Sequence, residues 1–343
     1  MMGMLALVIA MQASALSPLL RTEGQRLKTL PLTEGQQLKT LPRTAVPADI
    51  WVNCNHGSDA RNGTTPTEAV RTVKHALATH GSGGHQTVHI SGGLCPVDEP
   101  LVIKTGGPSP DAPFILRGDG KTALSGGVPI KGWAPVGTSS SVLVANVPAW
   151  FPLFEIKVLR VGSDLLRRSL WPKPSGNGLS SPNYMFATLW SSGSSDPTGE
   201  RSLHQLGVDP VRMPPANVSL ANAYAHVYGC VERDVNSQLT RVLGVGGSTT
   251  KPRLEILFRN TFAINQRFQL ENIELLVRGE FYHDMLSGKI YVWPPSSAAR
   301  EAMLRGAPAM VPVTDQLLEI NGASNVIIEN LTFLDTTYYA DGL

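Results

Sequence analysis

Asn325-Val-Ile-Ile-Glu-Asn-Leu-Thr-Phe333, near the carboxyl end, carries the pattern on which the fold reading turns. Val326 and Ile328 alternate, as in a strand with one buried face. The chain is expected to bend at Asn330, after which Leu331 and Phe333 take up a new alternation. Period-two runs broken by one-residue bends turn every apolar side chain toward one narrow interior, which is how a coil of parallel strands rounds its corners. An ordinary hairpin strand is the plainer alternative. Leu317–Ile320 reads as the preceding strand and Asn321–Ser324 as the turn between them.

The front of the chain has a related texture. Ile50–Cys54 reads as a short strand, followed by a turn-rich loop containing Gly57-Ser58-Asp59 and Asn62-Gly63-Thr64-Thr65-Pro66. Val70–His80 places Val70, Val73, Ala76 and Leu77 on one face, an amphipathic helix stopped by Gly81. Thr87–Ile90, Pro100–Lys104, Phe114–Arg117 and Ala123–Ser125 follow as strands separated by Gly and Pro turns. One helix and then closely spaced short strands suggest a capped stack of coils.

From about Gly132 to Pro312 the strand candidates lengthen: Val142–Ala145, Ile156–Val161, Ala223–Val231, Leu254–Phe258 and Lys289–Trp293. Phe281–Asp284 and Lys289–Trp293 flank Met285–Gly288, a hairpin with Gly where a left-handed residue is needed. Trp190–Pro210 is polar and rich in Gly and Ser, and is expected to be a surface loop. Gly244-Val-Gly-Gly247 reads as a loop, since it does not open a helix after a strand as a nucleotide cradle would. This stretch is an antiparallel β domain.

Composition agrees with an all-β chain. The 343 residues hold 33 Gly and 26 Pro, and charged residues are only 16%, against about a quarter in ordinary domains. Twenty-nine basic and 27 acidic residues leave a formal charge of +2, which argues against a nucleic-acid partner.

The amino-terminal MMGMLALVIAMQASAL is an apolar run ending in Ala13-Ser14-Ala15, the small-x-small pattern of a cleaved secretory signal. It is too short for a stable membrane span, and an uncleaved segment is the alternative. Residues 22–32 and 33–43 repeat TEGQ-x-LKTLP almost identically, a spacer without enough apolar residues for a core. Of the three cysteines, Cys54 and Cys95 end neighbouring strand candidates and are favoured as a disulfide, which leaves Cys230 spare. Sequons at Asn62, Asn217 and Asn330 are compatible with a glycosylated secretory protein. The expected segments are therefore a signal (1–16), a spacer (17–48), first coils with a capping helix (49–132), an inserted β domain (133–312) and resumed coils (313–343).

These motifs, in this order, resemble secreted right-handed parallel β-helix repeat proteins. Such chains open with a strand, G-x-D, G-T and a T-[LI] helix start. Here Cys54-Asn-His-Gly-Ser-Asp59, Asn62-Gly63-Thr64 and Arg71-Thr72-Val73 stand at those steps. Gly92-Gly93, Glu99-Pro100-Leu101, Ala123-Leu-Ser-Gly-Gly127 and Gly132-Trp133 are similar to the strand-ending glycine pair, E-P-L, L-S-G-G and G-W. Gly279-Glu-Phe-Tyr-His-Asp284 with Gly288-Lys-Ile-Tyr-Val-Trp-Pro294 looks like the family's G-E-W-Y hairpin. Two departures are the cysteines at positions 54 and 95 and the missing Pro before the helix start. The resemblance covers about residues 50–343 and is nearest to β-helix glycoside hydrolases of the family 141 and 120 type. It implies the start of a right-handed parallel β-helix with an N-terminal capping helix and an inserted antiparallel barrel or sandwich. It also implies a polysaccharide or glycan partner containing fucose or xylose, an extracellular setting and no cofactor, with the chain forming the front portion of a longer enzyme.

Glycoside hydrolysis needs two carboxylates. The resemblance sets them on successive coils beside the inserted domain, which makes Asp335 and Asp341 the catalytic candidates; loop solvation is the plainer role for both. Tyr338, Tyr339 and Trp293 are candidates for stacking on sugars. Asp284 and Glu280 belong to the hairpin, where accepting turn amides is the commoner role, and Glu329 reads as a solvated face. His75, His80, His85 and His89 cluster without metal-ligand spacing, so no metal site is expected. No G-x-S-x-G elbow is present to suggest a serine hydrolase. A non-catalytic carbohydrate-binding β-helix protein is the alternative function, with a polysaccharide lyase a further one.

Overall fold

The computed structural model describes residues 49–80, 87–137, 141–149, 156–173, 184–195, 202–228, 238–258 and 267–337. The expected signal and spacer, Cys230, His85, Tyr338, Tyr339 and Asp341 lie outside the described residues. Within them the protein is all-β with two short helices.

The first passage holds β1 (Ile50–Asn53), α1 (Val73–His80), β2 (Thr87–Ser91), β3 (Leu94–Pro96), β4 (Leu101–Ile103), β5 (Phe114–Gly118) and β6 (Ala123–Ser125). β1, β2 and β5 pair in parallel, Val52 beside Ile90 and Val88 beside Leu116. β3 and β6 pair likewise. Strand alternation turns Ile50, Val52, Val88, Ile90 and Leu116 into one core, which Val73 and Ala76 of α1 join. The helix starts at Val73, later than the apolar spacing suggests, because Val70 is drawn into a bridge with Val52. Thr72 then caps the start, its Oγ1 accepting the His75 amide at 3.1 Å, and Asp59 holds the approach, its Oδ1 accepting the amides of Arg71 and Thr72 at 2.8 and 2.9 Å. Cys54 and Cys95 are joined by a disulfide with Cα atoms 5.3 Å apart.

The second passage runs through β7 (Gly127–Ile130), β8 (Ala134–Pro135), β9 (Leu143–Asn146), β10 (Val158–Val161), β11 (Asp164–Arg168) and β12 (Leu170–Trp171). It continues with β13 (Met185–Ser195), β14 (Ser202–Val208), β15 (Tyr224–Val227), β16 (Gln238–Ser248), β17 (Lys251–Phe258) and β18 (Arg267–Glu271). β19 (Glu280–Asp284), β20 (Lys289–Trp293), α2 (Ser297–Leu304) and β21 (Ala309–Pro312) complete it. Eight strands form one sheet in the order β7-β21-β10-β11-β19-β20-β9-β8. Six more close a barrel, β18-β13-β14-β17-β16-β15, because β15 pairs again with β18. Met185, Leu206, Val227, Leu254, Ile256, Phe268 and Leu270 fill its interior. β19 and β20 are the expected hairpin, in register from Glu280–Trp293 to Asp284–Lys289.

Two loop readings are corrected here. Trp190–Pro210 is not a surface loop: its described part is occupied by β13 and β14, which pair antiparallel in the barrel. Its Ser and Gly residues hide a strand whose Leu206 and Val208 face the barrel core. Gly244–Gly247 also lies within a strand, β16. A β-bulge between Val242 and Gly244 shifts the register there, and a Cβ on Gly244 would come within 2.9 Å of the Glu255 carboxylate.

The chain then returns beside the first passage. β22 (Leu318–Ile320), β23 (Val326–Glu329) and β24 (Thr332–Leu334) pair in parallel with β4, β5 and β6. The bend at Asn330 is made by a left-handed residue (φ 56°), as are those at Asn325 (54°) and Asp335 (60°), positions that Asn and Asp tolerate. Val326, Ile328 and Leu331 pack on the core. The expectation that all the apolar side chains would be enclosed is corrected: Ile327 lies on the outer face, and Phe333 is 43% exposed. Phe333 stands in register with buried Leu124, but on a strand at the edge of its sheet among the described residues.

The parallel sheets are the small ones, of four, three and two strands; the larger sheets are antiparallel or mixed. Among the described residues no helix is long and apolar enough to cross a membrane.

Candidate functional site

Asp335 follows β24, and its side chain is shut off from solvent. Oδ1 accepts from Arg160 Nε at 2.7 Å, and Oδ2 from Arg160 Nη2 at 2.6 Å and Ser125 Oγ at 2.5 Å. The left-handed backbone turns the side chain inward, where Gly127 makes room; a Cβ there would lie 2.9 Å from that of Asp335. Arg160 comes from β10 and Ser125 from β6, so the carboxylate ties the returning strands to the antiparallel sheet. This is a bidentate, buried ion pair, with both carboxylate oxygens engaged.

The hairpin carboxylates serve their own neighbourhood. Asp284 Oδ1 accepts the amides of Leu286 and Ser287, and Oδ2 accepts Ser287 Oγ at 2.6 Å. Burial works to raise its pKa, but these bonds and one from Asn222 outweigh it and hold the carboxyl below its usual value. Glu280 is fully buried; Oε2 takes Lys173 Nζ at 2.6 Å and the Val277 amide at 3.1 Å, while Arg167 Nε stands 3.6 Å from Oε1. Burial lowers the Lys173 pKa despite Glu280 beside it. Glu329 pairs with Arg117. Trp293 is half-buried at the end of β20.

The seam between barrel and eight-stranded sheet is polar and buried. Asn272, left-handed at φ 57°, donates to the carbonyls of Asn222 and His283 and accepts the His283 amide at 2.8 Å. The His283 imidazole is 2% exposed, and burial drives its pKa down to about 4. Its Nε2 has no hydrogen-bond partner among the described residues.

A denser arrangement lies on the outer face of the barrel. Ala225 and Val227 point inward, so alternation turns Tyr224 and His226 outward, followed by Tyr228; Arg267, Gln269 and Glu271 share that face from β18. His226 Nδ1 is 2.7 Å from Glu271 Oε1, and Arg168 Nη1 stands 3.6 Å from Oε2. The imidazole stacks on Tyr228 at 4.3 Å with planes 17° apart. Tyr228 donates its hydroxyl to Gln269 at 2.8 Å and meets Tyr184 edge-on at 5.2 Å. The Arg267 guanidinium lies over the Tyr184 ring. Burial pushes the Glu271 pKa up, but the His226 bond and Arg168 overcome it, so the carboxyl sits below its usual value and stays ionised near neutrality. A carboxylate-fixed imidazole beside tyrosine rings can orient, accept or donate a proton to a ligand hydroxyl. The alternation of Tyr224, His226 and Tyr228 is visible in the sequence. Their partners on β18 are not, because nothing in Arg267–Glu271 announces which strand it pairs.

Other expected residues stay apart. His89 bonds Asp49 and stacks on Trp51, His75 lies on α1, and the His80 side chain falls outside the described residues. Among the described residues no group of three His, Cys, Asp or Glu is placed to hold a metal. The sequon residues Asn62, Asn217 and Asn330 are all exposed. A groove of about 440 Å³ between α1 and β4 is lined by aliphatic residues such as Leu77 and Ile103, with Lys74 paired to Glu99 at its side.

No family model matches the chain, and no curated protein matches it. Among solved structures, one described as "Glycoside hydrolase" superposes with a TM-score of 0.58 at 20% identity, over 85% of this chain and 51% of its own. Another, described as "The complex structure of XylC with xylose", gives a TM-score of 0.24 at 11% identity over 65% of this chain and 31% of its own. The chain thus spans about half the length of the glycoside hydrolase it matches, and its fold is glycoside-hydrolase-like.

Proposed function

We propose that the protein is a secreted, carbohydrate-active β-helix protein of the glycoside-hydrolase type. In this reading the three small parallel sheets are the first coils of a right-handed parallel β-helix, α1 caps them, and the antiparallel sheet and barrel are an insertion. The observation that carries it is the fold likeness to a glycoside hydrolase over most of this chain. The return of β22–β24 onto β4–β6 after the insertion supports it, because stacked coils are built by such in-register parallel neighbours.

The substrate class would be fucose- or xylose-containing polysaccharide, cleaved between two carboxylates. Asp335 fits a structural tie better than either of those roles, because Arg160 and Ser125 occupy both its oxygens. Asp341 is the remaining carboxylate candidate, with Tyr338 and Tyr339 as candidates for stacking on the sugar. Glycans would be carried at Asn62, Asn217 and Asn330, whose exposure supports modification. A second reading, glycan binding without turnover, is favoured by the engagement of Asp284, Glu280, Glu271 and Asp335 in local bonds.

Incubation of the secreted protein with fucosylated oligosaccharides and xylo-oligosaccharides tests both. Release of new reducing ends is expected. Binding without release would sink the hydrolase reading and leave the binding protein. Amino-terminal sequencing of material from the medium should begin near Leu16 or Ser17, since the small-x-small site ends at Ala15.

A further inference from the structure

Two histidines, one in the seam and one on the outer face of the barrel, stand in contrast. His283 is sealed in the seam, 2% exposed, and cannot reach a ligand. The His226 side chain is 22% exposed, and its Nδ1 is already committed to Glu271 at 2.7 Å. A carboxylate can only accept, so in the neutral ring Nδ1 carries the proton and Nε2 keeps its lone pair. Glu271 is in turn backed by Arg168, and Tyr228 fixes the imidazole plane from one side. Orientation, tautomer and plane of one partly exposed imidazole are thus all determined by its neighbours. Desolvating a carboxylate and a guanidinium is costly, and the pair lies outside the apolar cluster that packs the barrel interior.

We propose that His226, Glu271 and Tyr228, with Tyr184 and Gln269 beside them, form a sugar-binding subsite on the barrel, in which His226 Nε2 accepts a hydrogen bond from a hydroxyl of a neutral pyranose. This rests on the glycan-active reading given above and assigns part of the recognition to the inserted barrel rather than to the coils. Three features specify the ligand. Tyrosine rings supply flat apolar surface suited to a sugar face. Arg168 offsets the charge of Glu271, and the Arg267 guanidinium is engaged over the Tyr184 ring. Directional groups on an aromatic floor are what distinguish a polyhydroxylated ligand from an aliphatic one. Glu271 acts through His226 and is a positioning residue.

The tautomer is read first, from long-range proton–nitrogen spectra of the full chain at pH 7.5. His226 should be protonated on Nδ1 and bare on Nε2; protonation on Nε2 would overturn the proposal whatever the ligand. Binding of neutral xylo- and fuco-oligosaccharides is then measured by calorimetry for wild type, His226→Gln, His226→Phe and Glu271→Gln. Loss of the imidazole acceptor should weaken binding about tenfold or more, the worth of one ligand hydrogen bond. Glu271→Gln should flatten the pH dependence of affinity and change the His226 tautomer population, which a merely structural role would not do. If wild type binds and both His226 variants bind equally well, the subsite is wrong and the glycan-active reading stands. If wild type binds none of these sugars, that reading falls and takes the subsite with it. Should His226→Phe fail to fold, His226→Gln and the tautomer readout decide.

Discussion

Replacing Arg160 would leave the Asp335 carboxyl without its ion-pair partner in a place its side chain does not share with water. Breaking one side of such a buried pair costs about 3–5 kcal/mol, so Arg160→Met should lower the urea midpoint strongly. The double variant Arg160→Met/Asp335→Leu should recover much of that loss, because no buried charge remains without a partner; failure to recover would mean the tie does more than neutralise charge. His283 gives the molecule an acid limit. Its unfolded pKa is the ordinary 6.5 and its folded value about 4, so the fold prefers the neutral ring. The contribution is complete above pH 6.5 and is lost as pH falls from there toward 4. It amounts to roughly 3 kcal/mol over that window. Unfolding measured at several pH values should therefore show a steeper acid loss for wild type than for His283→Leu. The depressed pKa values of Glu271 and Asp284 add loss in the same direction, and the comparison of variants separates His283 from them. Asp335 could be picked out in the sequence as a carboxylate beside a strand. Its partners could not, since Arg160 and Ser125 are 175 and 210 residues away and no local pattern connects them.

At the scale of elements, close approach decides which strands can stack. Gly106 lies just after β4, where a Cβ would come within 1.5 Å of the Ser324 carbonyl oxygen, a backbone atom that cannot move aside. Gly106→Ala should cost about 3 kcal/mol or more by overpacking and should detach β22 and β23 first. Hydrogen exchange should then show their amides exposed while the barrel strands stay protected. The disulfide acts on the same passage. It joins cysteines 41 residues apart, and closing such a loop in the unfolded chain is worth about 4 kcal/mol in the entropy model. Paired unfolding curves with and without reductant should differ by about that amount, and Cys54→Ser/Cys95→Ser should match the reduced curve. Strands with plain alternation were legible: Ala123–Ser125 and Lys289–Trp293 fall where the pattern puts them. The described strands within Trp190–Pro210 were not, because Ser, Gly and Asp outnumber the residues that mark a strand. Their inward face is set by barrel closure, a long-range event, and short-range composition points the other way.

Over the whole molecule, the barrel and the eight-stranded sheet interrupt the parallel strands without separating them. β7 leaves the first passage and β21 returns to it, and the two pair with each other, Gly127 opposite Pro312 and Ile130 opposite Ala309. Everything between β8 and α2 is clasped at its base by that pairing. Among the described residues β23 has a neighbour on one side, β5. Native hydrogen exchange should therefore rank β22–β24 as the first sheet amides to open and β16 and β17, each paired on both sides, among the last; the reverse order would contradict the clasp as the organising contact. The same clasp governs the route by which the chain folds. Val326 must find Phe114 across the entire insertion, a search whose entropy cost grows with the length of open chain between them. Once β7 and β21 have met, that length shrinks to the stretches outside the clasp, so the pairing of β23 with β5 becomes a local event that waits on a distant one. Refolding should show the antiparallel strands acquiring protection in an early phase and β22–β24 in a later one. A substitution that loosens the β7–β21 pair should slow only the second.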